Sequence, residues 1–196
     1  MPVAIGILGG TFDPPHAGHV AAAVAAHEQL GLDEVRVIPA GQAPMRSGAP
    51  VASALDRVTM CRLAFAGHPW AVVDDREIRR PGTSWSIETA RELAKEFPGA
   101  MRVWILGADQ LARLDRWKDV TELCALVEFA VLSRDGISTV PPASVASVIR
   151  LTVLKAPAVQ VSSTALREAL RRGDSTRNGL PLAVGRHIDE RSLYQA

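Results

Sequence analysis

Gly9-Gly10-Thr11-Phe12-Asp13-Pro14-Pro15-His16-Ala17-Gly18-His19 joins an apolar run, Val3 to Leu8, to an alanine-rich helical run, His19 to Leu30. Two glycines let the backbone approach a ligand closely, and a helix start presents N–H groups and a positive dipole end to an anion. The pattern therefore predicts a strand, a phosphate-binding loop and a helix. The segment contains neither the GxxxxGK[ST] loop nor the GxGxxG fingerprint of other nucleotide-binding proteins.

His16 and His19 lie three residues apart across the predicted helix start, so a helical first turn would place both on one face. Thr11 can supply a hydroxyl group from the preceding turn. Taken singly, a glycine pair after a strand is usually only a turn, and a surface histidine is usually solvated. Here glycine flexibility, a hydroxyl group, two imidazoles and a helix start meet at one anion-sized position, which favours phosphate binding.

A second anion site is predicted where Val161-Ser162-Ser163-Thr164-Ala165-Leu166-Arg167 opens a helix that runs to Arg172. Three consecutive hydroxyl groups occupy capping positions, and Arg167 lies one turn beyond Thr164 on the same face. Taken on its own, this segment fits an ordinary helix cap with a solvated arginine better than an anion site.

Outside these two segments, β-prone apolar runs alternate with stretches of helical period. The alternation predicts an α/β fold, a Rossmann-like doubly wound parallel sheet with helices on both faces. The predicted strands are Val3–Leu8, Val35–Ile38, Ala71–Val73, Arg102–Leu106, Phe129–Leu132 and Ile149–Leu154.

Glycine, serine and proline mark the ends of the predicted helices. After the first helix, which ends at Gly31, the predicted helices are Ala54–Ala66 capped by Ser53, Ile87–Phe97 capped by Ser86, Trp117–Ala125 and Pro181–Leu193. The stretches 40–52 and 134–144 are predicted as loops at strand ends, where such folds bind ligands. We expect one domain over residues 1–196, with a small helical part from about residue 162.

The composition excludes several classes of function. Lys and Arg number 22 and Asp and Glu 21, so the net charge of +1 provides no broad basic field for nucleic acid or anionic lipid. No apolar run approaches the roughly 18 residues that cross a bilayer. Cys61 and Cys124 lack metal-binding spacing and are predicted as buried thiols. We therefore expect a cytoplasmic protein that binds neither nucleic acid nor membranes.

Taken together, these motifs resemble the nicotinate mononucleotide adenylyltransferase family of the nucleotidyltransferase superfamily. The resemblance rests on the two segments above, on Gly107-Ala108-Asp109 followed by Trp117, and on Ile188 with Leu193-Tyr194 near the end. It implies transfer of AMP from ATP to nicotinate mononucleotide, giving nicotinate adenine dinucleotide and pyrophosphate in NAD biosynthesis. It also implies Mg²⁺ as cofactor, held mainly by phosphate oxygens and water rather than by side chains.

The resemblance also implies roles for individual residues. The implied catalytic residues are His16, His19 and Arg167. The implied ATP-binding residues are Gly9, Gly10, Thr11, Phe12, Arg46, Gly107, Asp109, Ser163 and Thr164, with Gly107 and Asp109 against the ribose. The implied mononucleotide-binding residues are Trp85, Ser86, Thr89, Trp117, Lys118 and Arg134, with Trp117 stacked on the pyridine ring. Asp13 is expected to order its own turn.

Several alternatives stay open on the sequence. Phosphopantetheine adenylyltransferases share the His-x-Gly-His motif, and nicotinamide mononucleotide is an alternative acceptor. The chain departs from the family pattern at Pro44-Met45-Arg46, Ser84-Trp85-Ser86, Arg134-Asp135-Gly136 and His187. A nucleotide-binding module without catalysis is the alternative from another class, and formation of a homo-oligomer is left open.

Overall fold

The computed structural model describes residues 3–44, 48–133, 138–156, 159–174 and 178–195. The strands are β1 (Ala4–Gly10), β2 (Glu34–Pro39), β3 (Ala71–Val73), β4 (Met101–Gly107), β5 (Glu128–Leu132) and β6 (Leu151–Leu154). The helices are α1 (Ala17–Leu30), α2 (Ala54–Phe65), α3 (Arg76–Arg79), α4 (Ser86–Glu96), α5 (Ala108–Leu111), α6 (Val120–Leu126), α7 (Ser163–Arg171) and α8 (Leu182–Glu190). A 3-10 turn, Leu114–Arg116, separates α5 from α6.

The six strands form one parallel sheet in the order β3-β2-β1-β4-β5-β6. The chain builds outward from β1 to β3, then crosses back to place β4 on the other side of β1. The strand order therefore reverses between β1 and β4, and a crevice opens there at the carboxyl ends of the strands. This arrangement confirms the predicted Rossmann-like sheet.

Helices cover both faces of the sheet because the side chains of each central strand alternate between two apolar clusters. In β4, Val103 and Ile105 pack into the cluster that contains α1, whereas Trp104 and Leu106 pack into the cluster that contains α4. Helix α1 contributes four buried alanines to its side of the sheet, among them Ala23. Burial on both faces holds the ends of β1 and β4 firmly beneath the crevice.

The C-terminal helices pack around the loop that follows β1. Residues from α8 and beyond meet α2 in a small apolar cluster that includes Met60, Ile188 and Tyr194. The start of α7 lies beside the same loop, where Ser163 Oγ donates a hydrogen bond to the carbonyl oxygen of Pro14 at 2.9 Å. The crevice is thereby bordered by parts of the chain from both ends.

Several predicted helix boundaries are wrong, and two of these errors bear on the site. Ser86 is the first residue of α4, and Trp85 takes the N-cap position that was predicted for Ser86. Trp117 lies outside any helix, directly after the 3-10 turn, and α6 begins only at Val120. Asp119, at a φ of 51°, adopts the left-handed conformation and separates the two helical segments.

Other local predictions are confirmed. Ser53 caps α2 by accepting a hydrogen bond from the N–H of Asp56 at 3.1 Å. Gly31 ends α1 with a φ of 61°, a conformation that glycine adopts without strain. Cys61 and Cys124 are free and buried. Within the described ranges, no helix combines the length and apolarity needed to cross a membrane.

Candidate active site

Two cavities open side by side at the carboxyl ends of β1 and β4. They share Gly9, Gly10, Thr11, Asp109 and Gln110, so ligands in the two cavities would meet at the end of β1. We name them the His16 cavity, of about 540 Å³, and the Trp117 cavity, of about 460 Å³. Each volume suits one ligand of nucleotide size.

The His16 cavity collects the residues to which the sequence assigned ATP and catalysis. Its lining includes Gly9, Gly10, Thr11, Phe12, Gly107, Asp109, Ser163 and Thr164, together with His16, His19 and Arg167. The structure therefore brings together all of these predicted residues from three separate segments of the chain. Arg46, the remaining predicted ATP-binding residue, lies outside the described residues.

His16 and His19 stand face to face at the start of α1. Their rings are stacked with centroids 3.7 Å apart, and Phe12 packs against His19 at 4.8 Å. The backbone N–H of His16 donates to Nδ1 of His19 at 3.1 Å, so a neutral His19 carries its proton on Nε2. Two imidazoles held in this way can donate hydrogen bonds to the oxygens of a phosphate chain.

The start of α7 forms another wall of the His16 cavity. Ser162 caps this helix by accepting a hydrogen bond from the N–H of Ala165 at 3.2 Å. Arg167 donates through Nη1 to the carbonyl oxygen of Asp13 at 2.7 Å and through Nη2 to Oγ1 of Thr164 at 3.2 Å. The guanidinium is therefore fixed to the loop after β1, at the cavity wall.

Asp13 links that loop to two distant parts of the chain. Its buried carboxylate accepts hydrogen bonds from the backbone N–H groups of Val51 and Ala52, at 2.9 and 3.0 Å, and from the hydroxyl of Tyr194 at 2.8 Å. Burial raises the pKa of the Tyr194 hydroxyl, and the neighbouring Asp13 carboxylate raises it further. Asp13 thus anchors the segment before α2 and the C-terminal segment to the loop after β1.

Three indole rings form part of the wall of the Trp117 cavity. Trp85, Trp104 and Trp117 all line it, and the rings of Trp104 and Trp117 meet edge to face with centroids 6.0 Å apart. Lys118 Nζ lies 5.2 Å from the centroid of the Trp85 ring and 3.7 Å from a carboxylate oxygen of Glu88. An aromatic wall of this kind suits a flat ring in the ligand.

The remaining predicted mononucleotide-binding residues divide into three cases. Ser86 lines the Trp117 cavity. Thr89 is fully buried beneath it, where its hydroxyl donates to Oε1 of Glu77 at 2.6 Å and accepts from Nη2 of Arg80 at 2.9 Å. Glu77 itself lines the cavity, and burial raises the pKa of its carboxyl group. Arg134 lies outside the described residues.

Sequence reasoning missed several side chains at or next to the site. Gln110 lines both cavities, and Arg113 and Arg116 line the Trp117 cavity. Their position directly after Gly107-Ala108-Asp109 was the available signal, because residues next to a strand-end motif lie at the same edge of the sheet. Arg57 belongs to α2, and only 2% of its surface is exposed. The only signal in the sequence was a charged residue within a helix that was predicted to pack on the sheet.

Comparison with known proteins identifies close relatives by sequence. The cytidylyltransferase-like family model matches residues 7–169. A protein of Synechococcus sp. (strain JA-3-3Ab), named as a probable nicotinate-nucleotide adenylyltransferase, is 41% identical over 97% of this chain and 94% of its own length. A protein of the same name from Methylibium petroleiphilum is 40% identical over 97% of this chain and 92% of its own length.

Solved structures share the fold. The Plasmodium falciparum nicotinic acid mononucleotide adenylyltransferase complexed with APC matches with a TM-score of 0.80, over 98% of this chain and 97% of that chain, at 16% identity. The same Plasmodium falciparum protein complexed with NaAD matches with a TM-score of 0.77 at 17% identity, over the same shares of both chains. At such low identity the likeness concerns the fold alone.

Proposed function

We propose that this chain transfers AMP from ATP to nicotinate mononucleotide. The premise is that the chain belongs to the cytidylyltransferase-like family and, within it, to the nicotinate-nucleotide adenylyltransferases. The products are nicotinate adenine dinucleotide and pyrophosphate. One observation carries the proposal: an anion-binding cavity and an aromatic cavity meet at Gly9, Gly10 and Thr11. Such a pair of sites suits a reaction that joins two nucleotides.

The proposed reaction needs positioning more than acid–base catalysis. The mononucleotide phosphate, with a second pKa near ~6, is largely dianionic at neutral pH and attacks without help from a base. Its oxygen forms a bond to the α-phosphorus of ATP while the bond to the pyrophosphate oxygen breaks. The protein must bring two polyanions together and stabilise the charge that develops on the leaving pyrophosphate.

In this proposal ATP occupies the His16 cavity. His16 and His19 donate hydrogen bonds to its phosphate oxygens, while Arg167 and the hydroxyl groups at the start of α7 bind the β and γ phosphates. Asp109 accepts hydrogen bonds from the ribose hydroxyls. Gly107 supports that role, because a Cβ atom there would lie 2.6 Å from Oδ1 of Asp109 and would displace the carboxylate.

The mononucleotide occupies the Trp117 cavity in this proposal. Trp117 stacks on the pyridine ring, and backbone N–H groups near Ser86 and Lys118 donate hydrogen bonds to the ring carboxylate. Arg113 and Arg116 add positive charge to the same cavity. This cavity opens toward Thr11, so the phosphate of the bound mononucleotide would point to the end of β1 and to ATP.

Mg²⁺ is the proposed cofactor. Within the part of the chain that the structure describes, no three His, Cys, Asp or Glu side chains are grouped so that they could hold a metal ion. The donors of the His16 cavity are instead imidazole, hydroxyl and guanidinium groups, which suit phosphate oxygens. These residues would suit an ion held mainly by the triphosphate and water, and such an ion would supply positive charge against the pyrophosphate.

Product analysis tests the proposed function. The protein is incubated with ATP, Mg²⁺ and nicotinate mononucleotide, and the products are separated, identified and quantified by mass spectrometry. We expect nicotinate adenine dinucleotide and pyrophosphate in equal amounts. A nucleotide-binding module would retain ATP and form neither product, and that result would exclude the enzymatic function.

A further inference from the structure

We propose that Arg57 is a positioning residue for the transfer reaction. Its side chain touches neither proposed substrate site directly, yet it fixes the backbone at the point where the two cavities meet. This inference rests on the function proposed above. It extends that function to a residue outside the motifs of the sequence.

Arg57 holds together the chain segments that follow β1 and β2. Nη1 donates hydrogen bonds to the carbonyl oxygen of Thr11 at 2.8 Å and to that of Ala40 at 2.7 Å. Thr11 lines both cavities, and Ala40 lines the Trp117 cavity. A single buried guanidinium group therefore bridges two backbone segments that border the substrate sites.

The bridge continues the sheet beyond its last hydrogen bonds. The pairing of β1 with β2 ends at Gly10 and Pro39, and one more hydrogen bond follows, from the N–H of Ala40 to the carbonyl oxygen of Gly10 at 2.8 Å. Beyond this point the two segments part to form the crevice. Arg57 supplies the next donors, so the backbone stays fixed although the ladder has ended.

The energetics favour a functional role for this arrangement. Arg57 is 2% exposed, and removal of a guanidinium ion from water is costly. A complete buried ion pair can often be replaced by apolar side chains of similar volume without loss of stability, so burial of a charge is by itself weak evidence for a role in stability. Arg57 is a buried cation directed at two backbone carbonyl oxygens beside the proposed reaction site. We therefore attribute its presence to the backbone position that it imposes and not to a gain in stability.

That position matters because Thr11 lies where the attacking phosphate must meet the α-phosphorus. A small displacement of a reacting group can lower a rate by about a hundredfold, even when both substrates still bind. Loss of the bridge should therefore lower kcat while KM for either substrate changes little. A residue that acts only on stability would instead lower the folded fraction and leave kcat per folded molecule unchanged.

Three variants test the proposal: Arg57→Met, Arg57→Lys, and Arg62→Met as a control on the exposed face of the same helix. Steady-state kinetics for both substrates and thermal unfolding are measured on each. We expect kcat of Arg57→Met to fall by roughly 10- to 100-fold with KM values within about threefold, and Arg57→Lys to recover part of the loss. Arg62→Met should behave as wild type.

The proposal is overturned if Arg57→Met keeps the wild-type kcat per folded molecule. It is also overturned if both Arg57 variants lose activity only in proportion to their loss of folded protein. If Arg57→Met does not fold, Arg57→Lys decides: a reduced kcat at unchanged thermal stability supports the proposal, and an unchanged kcat contradicts it. Absence of activity in the wild-type protein would count against the proposed function instead.

Discussion

His16 is the more enclosed of the two histidines at the start of α1, with 4% of its surface exposed, and its ring lies flat against that of His19. We predict that His16→Ala lowers turnover by roughly 10²–10³, the usual cost of removing one well-placed donor to developing charge. His68→Ala is the matched control, because His68 packs against Trp70 and lines neither cavity. Turnover above half of the wild-type value for His16→Ala would remove His16 from the mechanism.

Trp117 is the residue that best separates the two substrates. It is half-buried, packs edge to face on Trp104 and lines the Trp117 cavity but not the His16 cavity. We predict that Trp117→Ala weakens mononucleotide binding by about 1–3 kcal/mol, the usual contribution of one aromatic stack, while the KM for ATP stays nearly constant. Steady-state kinetics, with the concentration of each substrate varied in turn, measure the two KM values that check this prediction.

Trp70→Ala provides the control for that experiment. Trp70 stacks on His27 with centroids 4.4 Å apart and lines neither cavity, so its loss should leave both KM values unchanged. If Trp117→Ala is destabilised and loses affinity for both substrates equally, Trp117 supports the apolar core instead of the ligand.

The sequence could predict which residues lie together where those residues share one short motif. His16 and His19 are three positions apart, so helix geometry alone brings them together. The contacts of Arg57 with Thr11 and of Tyr194 with Asp13 span 46 and 181 residues. Neither contact has a local pattern, and only the folded chain reveals them.

At the scale of elements, apolar spacing predicted most strands and helices but failed around Trp117. Leu114, Trp117 and Thr121 have a spacing that fits one continuous helix. The chain instead forms a 3-10 turn, a left-handed residue at Asp119 and then α6. The structure keeps Leu114 buried and Trp117 half-buried, but it leaves Thr121 exposed, so a spacing of three or four residues did not by itself establish a continuous helix.

The contact between the C-terminal segment and the loop after β1 leads to a stability prediction. Tyr194→Phe removes a donor from the buried Asp13 carboxylate, and hydrogen bonds to charged groups contribute about 1.5–3 kcal/mol. We expect the free energy of unfolding in urea to fall by this amount at pH 7. Tyr194→Phe should also weaken ATP binding, since Asp13 lies in the loop that lines the His16 cavity.

The same contact has a defined pH dependence. The pKa of Tyr194 is raised in the folded protein, so its contribution to stability is complete below the ordinary tyrosine pKa of about 10 and is lost as pH rises above that value. The difference in unfolding free energy between wild type and Tyr194→Phe should therefore shrink above pH ~10. A difference that stays constant from pH 7 into this alkaline range would contradict the assignment.

At the scale of the whole molecule, alternation of apolar runs predicted a parallel sheet but not the order of its strands. That order depends on which strands pair, and the pairing of β1 with both β2 and β4 places the reversal at Gly9 and Gly10. The crevice at this reversal holds both cavities. A chain of net charge +1 can therefore bind two anionic substrates through local groups alone.

The choice of acceptor is the central claim, and the rate of pyrophosphate release tests it most directly. The wild-type protein is supplied with ATP and Mg²⁺ and, in parallel, with nicotinate mononucleotide, nicotinamide mononucleotide or phosphopantetheine. We predict the highest kcat/KM for nicotinate mononucleotide, a lower value for nicotinamide mononucleotide, and no release above background with phosphopantetheine. A higher kcat/KM for either of the other two acceptors would contradict the assignment of the Trp117 cavity to nicotinate mononucleotide.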